Sequence, residues 1–366
     1  MQMQQMKIET RAALSDITCR KMKNGTVAGA LAATLACALS VSPVQADPPP
    51  PTTWEEFNSQ ALAIAPIVSV LAAEVTDGTC EAVNDLDADM TTPIGSGFKL
   101  FILDELGAQI GDRARRGGRL KWEAPVEIQA KYKAIPAGPL LFVPDGSVYS
   151  TRYIAEQMIQ VSDNTATDHL LFLVGRENVE RRMGLDGHHD PSLNTPLFST
   201  REFGVLKFLW TEEQLEEYEN ASVAKRRQLL AAEKRGWPEL EAYFDEHGDQ
   251  TEPARIETVE WFANRFDMCG VMMSLYERGQ NVKKELPLLE VLTLFDPIGF
   301  DREKWIYVGF KGGSEIGVQA GNWLVKRDDG RVFFFSAAFA DPDAPLDLGA
   351  LLPLLFAAPD ILYATP

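Results

Sequence analysis

Ser96 and Lys99, three residues apart, have the types and spacing of a nucleophile and its base. On a helix, this spacing brings both side chains to one face. A serine hydroxyl is a weak nucleophile, and a lysine whose pKa is lowered by burial or by nearby cations can activate it. A helix N-terminus adds backbone N–H groups where oxyanion charge would develop. Taken alone, the same spacing also fits a capped helix with a surface lysine.

A second polar cluster, Ser162-Asp163-Asn164, lies between two segments with helical periodicity. Its hydroxyl, carboxylate and amide groups could serve a catalytic site. Serine, aspartate and asparagine are also the residues preferred at helix N-caps. The cluster by itself therefore fits a helix boundary as well as a site.

A third cluster, Lys311-Gly312-Gly313-Ser314, follows a predicted strand. Paired glycines would let a substrate backbone approach the edge of that strand closely, and a lysine beside them could attract an anion. The alternative is a turn that ends the strand.

Hydrophobic periodicity indicates the elements that must position these clusters. Apolar residues four apart after Gly95 predict a helix that Gly117-Gly118 ends. The other predicted elements are a helix near Trp54, a hairpin of residues 68–75 and 80–86, a mainly helical middle over 121–287, strands over 305–310, 316–325 and 332–339, and a closing helix over 346–356. Strands at both ends with helices between them predict an α/β fold, an antiparallel sheet flanked by helices with an all-α subdomain.

The N-terminal segment, residues 1–46, has the pattern of an export signal. Three basic residues precede the apolar run 27–41, and small residues follow at 44–46. The alternative is a membrane anchor, but the run is shorter than the roughly 20 apolar residues that a span requires. We therefore predict a Pro-rich linker over 47–53, a folded domain over 54–366, and a secreted or periplasmic protein with no membrane segment after cleavage.

The charge of the chain restricts its partners. Removing residues 1–46 takes away five basic and two acidic residues, which leaves a net charge of −21. So acidic a protein is repelled by nucleic acids and by anionic lipid surfaces. We expect a small-molecule substrate and a monomer. The charged segment 211–256 is predicted to be a solvated helical insertion.

The cysteines and histidines indicate a possible disulfide and no metal site. Cys80 and Cys269 would form a disulfide in an oxidising compartment if their Cα atoms lay within about 7 Å, and two buried thiols are the alternative. Four histidines and no Cys-x-x-Cys motif argue against a structural zinc site. The adjacent His188 and His189 lack the helical spacing of a metal pair. We expect neither a metal nor a cofactor.

The three clusters together, S-x-x-K, S-D-N and a Lys-Gly-rich strand motif in this order, resemble the signature of class A β-lactamases and penicillin-binding proteins. The resemblance extends from about Trp54 to the C-terminus. It implies that Ser96 attacks an acyl carbonyl and that Lys99 takes or relays its proton. Ser162 would then pass a proton to the leaving group.

The resemblance also implies a set of substrate contacts. Asn164 would hold a substrate amide, Lys311 would orient Ser162 and attract an anionic substrate, and Gly313 would line the strand edge. The backbone N–H groups of Ser96 and Ser314 would form the oxyanion hole. The sequence departs from the K-[TS]-G pattern at its second position, which is Gly312, so the family's hydroxyl contact is missing unless Ser314 replaces it.

A further departure concerns deacylation. Class A enzymes use an E-x-x-L-N motif whose glutamate activates water, and the nearest match here begins at Asp190 and ends at Asn194. Asp190 is one methylene shorter, and general-base catalysis tolerates little displacement. A capping or turn aspartate is the alternative. The pattern is similar to divergent β-lactamase-like serine hydrolases with weak esterase activity.

We therefore expect an exported serine hydrolase that forms an acyl-enzyme at Ser96 and acts on β-lactams or related esters. Two alternatives stay open: a D-alanyl-D-alanine carboxypeptidase, and a β-lactam sensor that is acylated without turnover.

Overall fold

The computed structural model describes residues 48–116, 120–135, 138–280, 287–293 and 295–366. The predicted export signal and the Gly117-Gly118 helix stop lie outside these residues. Within the described part of the chain, no helix is both long enough and apolar enough to span a membrane.

Nine strands and twelve α-helices make up the described fold. The strands are β1 (Ile67–Thr76), β2 (Thr79–Leu86), β3 (Thr92–Pro93), β4 (Pro125–Glu127), β5 (Val148–Ser150), β6 (Phe262–Ala263), β7 (Trp305–Glu315), β8 (Val318–Arg327) and β9 (Val332–Ala340). The first six helices are α1 (Trp54–Ala61), α2 (Lys99–Arg116), α3 (Thr151–Gln160), α4 (Asn164–Val174), α5 (Arg176–Leu185) and α6 (Thr200–Phe208). The others are α7 (Glu212–Glu219), α8 (Val223–Ala232), α9 (Trp237–His247), α10 (Arg265–Gly279), α11 (Leu288–Leu292) and α12 (Leu348–Ala364).

One five-stranded antiparallel sheet organises the fold, in the order β2-β1-β9-β8-β7. The last strand, β9, pairs with both β1 and β8, so the N-terminal hairpin and the C-terminal strands form one sheet. Nearly all helices lie between these two groups of strands in sequence. The predicted fold class, a sheet split by a helical region, is confirmed.

Both faces of this sheet are covered, which explains three consecutive buried phenylalanines in β9. Phe334 belongs to the larger core together with residues of α2, α4 and α10. Phe333 and Phe335 belong to the second core, which α1 and α12 cover. Because successive strand residues point to opposite faces, such an uninterrupted apolar strand requires a covered sheet.

The helix after Gly95 was predicted correctly, and it runs through the larger core. Its apolar residues Ile102 and Leu106 are completely buried, as is Phe98 in the preceding turn. That turn is a 3₁₀ helix over Gly95–Phe98, and α2 continues it from Lys99. The nucleophile candidate thus lies in the tight turn just before the α-helix.

Two predicted C-terminal boundaries were wrong. Lys311-Gly312-Gly313-Ser314 does not end its strand, because β7 pairs with β8 through Glu315. The closing helix extends to Ala364 despite Pro353 and Pro359 within it. Its buried face continues through Leu362, and this tertiary burial outweighs the local cost of the prolines.

The charged segment 211–256 is helical, as predicted, and forms α7, α8 and α9. It is not merely solvated, because each helix contributes buried apolar side chains: Leu215, Tyr218, Leu230 and Leu240. Leu240 packs so closely on α6 that a Cβ at Gly204 would lie 2.9 Å from its side chain. These helices are therefore part of the core.

The two cysteines form a disulfide between β2 and α10. Cys80 and Cys269 have Cα atoms 6.6 Å apart. Of the two alternatives that the sequence left open, the structure selects the cross-link.

Candidate active site

Ser96 lies in the 3₁₀ turn where α2 begins. Its side chain is half-buried, and its Oγ forms no hydrogen bond to any described residue. The short pair of β3 with β6 holds the chain just before it, where Thr92 pairs with Ala263. Hydrogen bonds of catalytic groups are often completed only when substrate binds. The hydroxyl is therefore available to a ligand.

Strand β7 touches this turn at Gly313. A Cβ at position 313 would lie 2.4 Å from the backbone nitrogen of Ser96 and 2.1 Å from the carbonyl oxygen of Ile94. No side chain fits between backbones this close, so only glycine allows the approach. The backbone nitrogen of Ser314 borders the same contact, 3.0 Å from where a Cβ of Gly95 would lie. The contact brings the nucleophile segment to the third cluster.

Lys99 is completely buried and points to the second cluster. Its Nζ lies 2.7 Å from the carbonyl oxygen of Ser162, 2.7 Å from Oδ1 of Asn164 and 3.0 Å from Oγ of Ser162. All three partners are neutral. Burial, followed by the charge of Lys311, lowers the pKa of Lys99 well below its usual value, although Asp163 and Asp168 oppose this. The surroundings of Lys99 thus favour its neutral amine form more than water does.

Ser162 occupies the centre of the cluster in an uncommon backbone conformation. Its φ is +56°, in the left-handed region where non-glycine residues are rare and often functional. Its Oγ lies 3.0 Å from Nζ of Lys99 and 3.1 Å from Nζ of Lys311. The strained backbone is held by the next residue, Asp163, which accepts from the N–H groups of Ala166 and Leu140. The two interpretations of this cluster, a helix cap and a site, are therefore compatible: Asp163 caps α4, and Ser162 faces the two lysines.

Lys311 approaches from β7 and is almost completely buried. Burial lowers its pKa to about 7. A Cβ at Gly312 would lie 2.8 Å from the ring tip of Phe310, so a hydroxyl residue at this position of the K-[TS]-G pattern would require that ring to move.

Asp190 and Asn194 are not part of this hydrogen-bonded cluster. The carboxylate of Asp190 accepts from the backbone and hydroxyl of Ser192 and caps a short 3₁₀ turn. These bonds lower its pKa. The side chain of Asn194 is paired with both backbone groups of Phe262 in β6. The contacts match the capping alternative for Asp190. Asn194, which the motif match predicts to contact substrate, is held against β6 by these two bonds.

His188 and His189 form a cluster with Asp267, whose side-chain atoms lie within 4.8 Å of one another. Nδ1 of His189 lies 2.6 Å from Asp267 Oδ2. Nδ1 of His188 faces the backbone N–H of Asp190, so its proton belongs on Nε2, which donates to the carbonyl of Phe262. A metal ion would have to displace these bonds, and the arrangement is that of a hydrogen-bonded brace.

A second buried charged cluster, which was not predicted from the sequence, lies at the end of β7. Lys207 of α6 is buried and contacts the carboxylate of Glu315, and Glu260 lies beside that carboxylate. Burial and the charge of Glu315 raise the pKa of Glu260 well above its usual value. Strand alternation places Glu315 on the same face as Lys311 and Gly313. The alternation of side chains along the strand could have predicted that Glu315 lies on this face. That prediction would have required knowing that the strand extends to residue 315.

Comparison with known proteins gives a consistent set of similarities. Residues 63–233, which include Ser96, Lys99 and Ser162, match the model of the Beta-lactamase enzyme family. A solved structure of PBP-A aligns with 14% identity over 87% of this chain and 98% of its own, with a TM-score of 0.57. A β-lactamase from Sphaerobacter thermophilus aligns with 17% identity over 85% of this chain and 96% of its own, with a TM-score of 0.55.

An acyl-enzyme complex of a PBP-A mutant with penicillin G has the same fold, with 14% identity over 87% of this chain and 98% of its own and a TM-score of 0.55. No curated protein sequence matches the chain. The chain has the fold of the class A β-lactamase and penicillin-binding serine hydrolase superfamily, which it also resembles in its three sequence motifs.

Proposed function

We propose that this chain is an exported serine hydrolase that forms an acyl-enzyme at Ser96 and acts on β-lactams or related esters. The observation that carries the proposal is the convergence of three distant segments. Lys99 and Lys311 both contact the hydroxyl of Ser162, while Gly313 of the Lys311 strand touches the backbone of Ser96. These segments, which include residues more than two hundred positions apart, thus meet around the hydroxyl of Ser162 and beside the backbone of Ser96.

The first chemical step is attack of Ser96 on the substrate carbonyl. As Oγ bonds to the carbonyl carbon, its proton passes to the neutral amine of Lys99, directly or through one water. Nζ then carries three N–H groups, which match its three oxygen partners. The negative oxygen of the tetrahedral intermediate would be held by the backbone N–H groups of Ser96 and Ser314.

The second step is departure of the leaving group. Because Ser162 Oγ can accept hydrogen bonds from both lysines, its own O–H remains available to a third partner. It donates that proton to the leaving nitrogen or oxygen as the acyl carbon–heteroatom bond breaks. Lys99 then returns a proton to Ser162, which leaves the amine neutral again. Lys311 stabilises the negative charge on Ser162 Oγ between the loss of its proton to the leaving group and the return of a proton from Lys99.

Deacylation is the step that the described contacts support least, because it requires a base that activates a water molecule. The carboxylate of Asp190 is held by Ser192, and the bonded partners of Lys99 are all neutral. These contacts favour a long-lived acyl-enzyme, as in a penicillin-binding protein, over rapid hydrolysis. A slow hydrolase and a β-lactam-binding protein are therefore the two candidate outcomes.

Export is supported by the disulfide between Cys80 and Cys269. Structural disulfides persist in oxidising compartments and are rare in the cytosol. A secreted or periplasmic location would also bring the protein into contact with β-lactams. Fractionation of producing cells, with mass determination of the mature N-terminus, tests this part of the proposal.

Intact-mass spectrometry with penicillin G tests the chemistry. We expect one covalent adduct on the wild-type protein and none on Ser96→Ala. Ser59→Ala, at an exposed serine of α1, is the matched control and should be acylated like the wild type. A missing wild-type adduct, or one that survives Ser96→Ala, would refute the proposal.

The fate of the adduct separates the two outcomes. After removal of free penicillin, loss of the added mass within minutes indicates a β-lactamase. Persistence for hours indicates a penicillin-binding protein. Selective turnover of a simple ester indicates an esterase.

A further inference from the structure

A row of buried polar side chains crosses the sheet behind the candidate site. Lys311 of β7, Asn322 of β8 and Ser336 of β9 are directly opposite one another in the strand register. Nδ2 of Asn322 donates to the backbone carbonyl of Lys311 at 3.1 Å, and Oγ of Ser336 donates to Oδ1 of Asn322 at 2.8 Å. Asn322 and Ser336 are completely inaccessible to solvent. The row therefore connects the backbone of Lys311 to the middle of the sheet.

Arg265, at the start of α10, extends this row to the nucleophile segment. One of its terminal nitrogens lies 3.1 Å from Oγ of Ser336. The other lies 2.7 Å from Oγ1 of Thr92 and 3.0 Å from the carbonyl of Ala263, in the short strand pair that precedes Ser96. One guanidinium thus holds both segments that meet at the site.

The burial of Arg265 needs an explanation. The side chain is 0% exposed, and all its hydrogen-bond partners are neutral. The nearby carboxylate of Asp267 is used by His189 and by the cap of α10. Burial lowers the pKa of Arg265 to about 10, which leaves it charged at neutral pH. A charge desolvated without a paired carboxylate costs stability, and an apolar side chain would avoid that cost.

Asn322 also lies directly behind the turn that carries Ser96. A Cβ at Gly97 would lie 3.5 Å from its Nδ2. The adjacent residues of β8, Trp323 and Leu324, are apolar and buried, as a sheet core normally is. The polar row therefore occurs only at the register that includes Lys311 and passes behind Ser96.

We propose that Asn322, supported by Ser336 and Arg265, is a positioning residue that holds the backbone of Lys311 against the Ser96 turn. It contacts neither substrate nor reacting atoms. Through the carbonyl of Lys311 it determines where Nζ of that lysine meets Ser162. This inference rests on the proposed function for its catalytic consequence, but the positioning itself can be measured separately.

The chemistry of the side chain explains why an amide is used. Asparagine offers one donor for the Lys311 carbonyl and one acceptor for the Ser336 hydroxyl. Leucine has similar volume but neither group. Asn322→Leu thus removes the connection without opening a large cavity. Val325→Ala, three residues further along β8 and on its opposite face, is a matched control that weakens the core without touching the row.

The first measurement is the penicillin acylation rate of folded wild-type, Asn322→Leu and Val325→Ala proteins as a function of pH. We expect Asn322→Leu to be acylated 10- to 100-fold more slowly. We also expect its alkaline pH limb to move upward, because a less confined Lys311 returns toward its ordinary pKa. Val325→Ala should keep the wild-type rate and limb. A folded Asn322→Leu protein with a rate within twofold of wild type and an unmoved limb would overturn the inference.

The second measurement is hydrogen exchange on the same proteins, which requires no acylation. Asn322→Leu should exchange faster than Val325→Ala over residues 92–97 and 309–315. Unchanged protection in these segments would overturn the positioning role. A wild-type chain that takes no adduct, with the exchange difference present, would refute the proposed function and leave the positioning role supported.

Discussion

Two buried lysines of this chain approach the same strand with different partners. Nζ of Lys99 contacts only neutral oxygens, those of Ser162 and Asn164. Nζ of Lys207 contacts the carboxylate of Glu315 and lies 4.4 Å from the centre of the ring of Phe203. Burial is nearly complete for both side chains. The partners, not the burial, distinguish the two lysines.

The difference distinguishes the lysine that we propose as a base from a lysine held in an ion pair. A carboxylate stabilises the ammonium form and opposes proton loss, whereas desolvation beside another cation favours the neutral amine. In the Lys207 cluster the group with the shifted pKa is an acid, Glu260, whose pKa is raised. Groups with shifted pKa values thus lie near Lys311 and near Glu315, both in the C-terminal half of β7, and Gly313 between them contacts the backbone of Ser96, the proposed nucleophile.

The largest effect is expected from Lys99→Met. Without a base for Ser96, penicillin acylation should fall by about 10²- to 10⁴-fold, while the protein remains folded because methionine fills much of the space. Stopped incubations analysed by intact mass measure the rate. Acylation within tenfold of wild type would show that Lys99 is not the base.

The matched substitution, Lys207→Met, should act on stability. It leaves the carboxylate of Glu315, whose side chain is 14% exposed, without its cation. Breaking such a pair typically costs about 3–5 kcal/mol of unfolding free energy. Urea denaturation measures this loss, and acylation per folded molecule should stay within a few-fold of wild type. A large loss of acylation with unchanged stability would reverse the assigned roles.

The pH dependence of acylation should reflect both lysines of the site. The rate should rise with pH as the Lys99 amine becomes neutral, and fall as Lys311, with a pKa of about 7, loses its proton. Since the two groups interact, the limbs belong to the pair. One pH unit beyond the alkaline limb, the rate should be roughly tenfold lower. Lys207→Met should leave this bell-shaped pH profile unchanged. A flat profile between pH 5 and 9 would contradict the proposed roles of Lys99 and Lys311.

The smallest effect is expected from Glu260→Gln. Because the folded protein holds the pKa of Glu260 above its unfolded value, this group stabilises the fold at low pH, and the contribution is lost as pH rises through the folded pKa. The amide variant cannot ionise, so its unfolding free energy should decline less than that of the wild type as pH rises above the usual range of a glutamate. Urea midpoints at several pH values measure this, and parallel curves for the two proteins would exclude the effect.

Much of the fold could be read from local patterns. The N-terminal hairpin and the helix after Gly95 were predicted close to where they occur. Periodicity and turn chemistry are carried by residues near in sequence. The extent of β7 and of α12 was not predictable in this way, because pairing with β8 and burial against the sheet decide where they end.

The candidate site divides in a similar manner. The types and order of Ser96, Lys99, Ser162, Asn164 and Lys311 predicted the chemistry that we propose, since a nucleophile, a base and proton-relay groups must be particular side chains. The motif match at Asp190 and Asn194 stays a prediction, because a short pattern does not say what else a side chain contacts. In the fold, Ser192 and Phe262 occupy those groups.

The sequence alone thus determined which reactive groups this protein has and which helices and strands present them, because both depend on residue type and near-neighbour spacing. The tertiary structure decided which groups are neutral, which are paired, and which merely brace a loop. It also decided the link from Arg265 through Asn322 to Lys311 and the bond between Cys80 and Cys269. Desolvation and partner choice depend on contacts between distant segments, and such contacts exist only once the chain has folded.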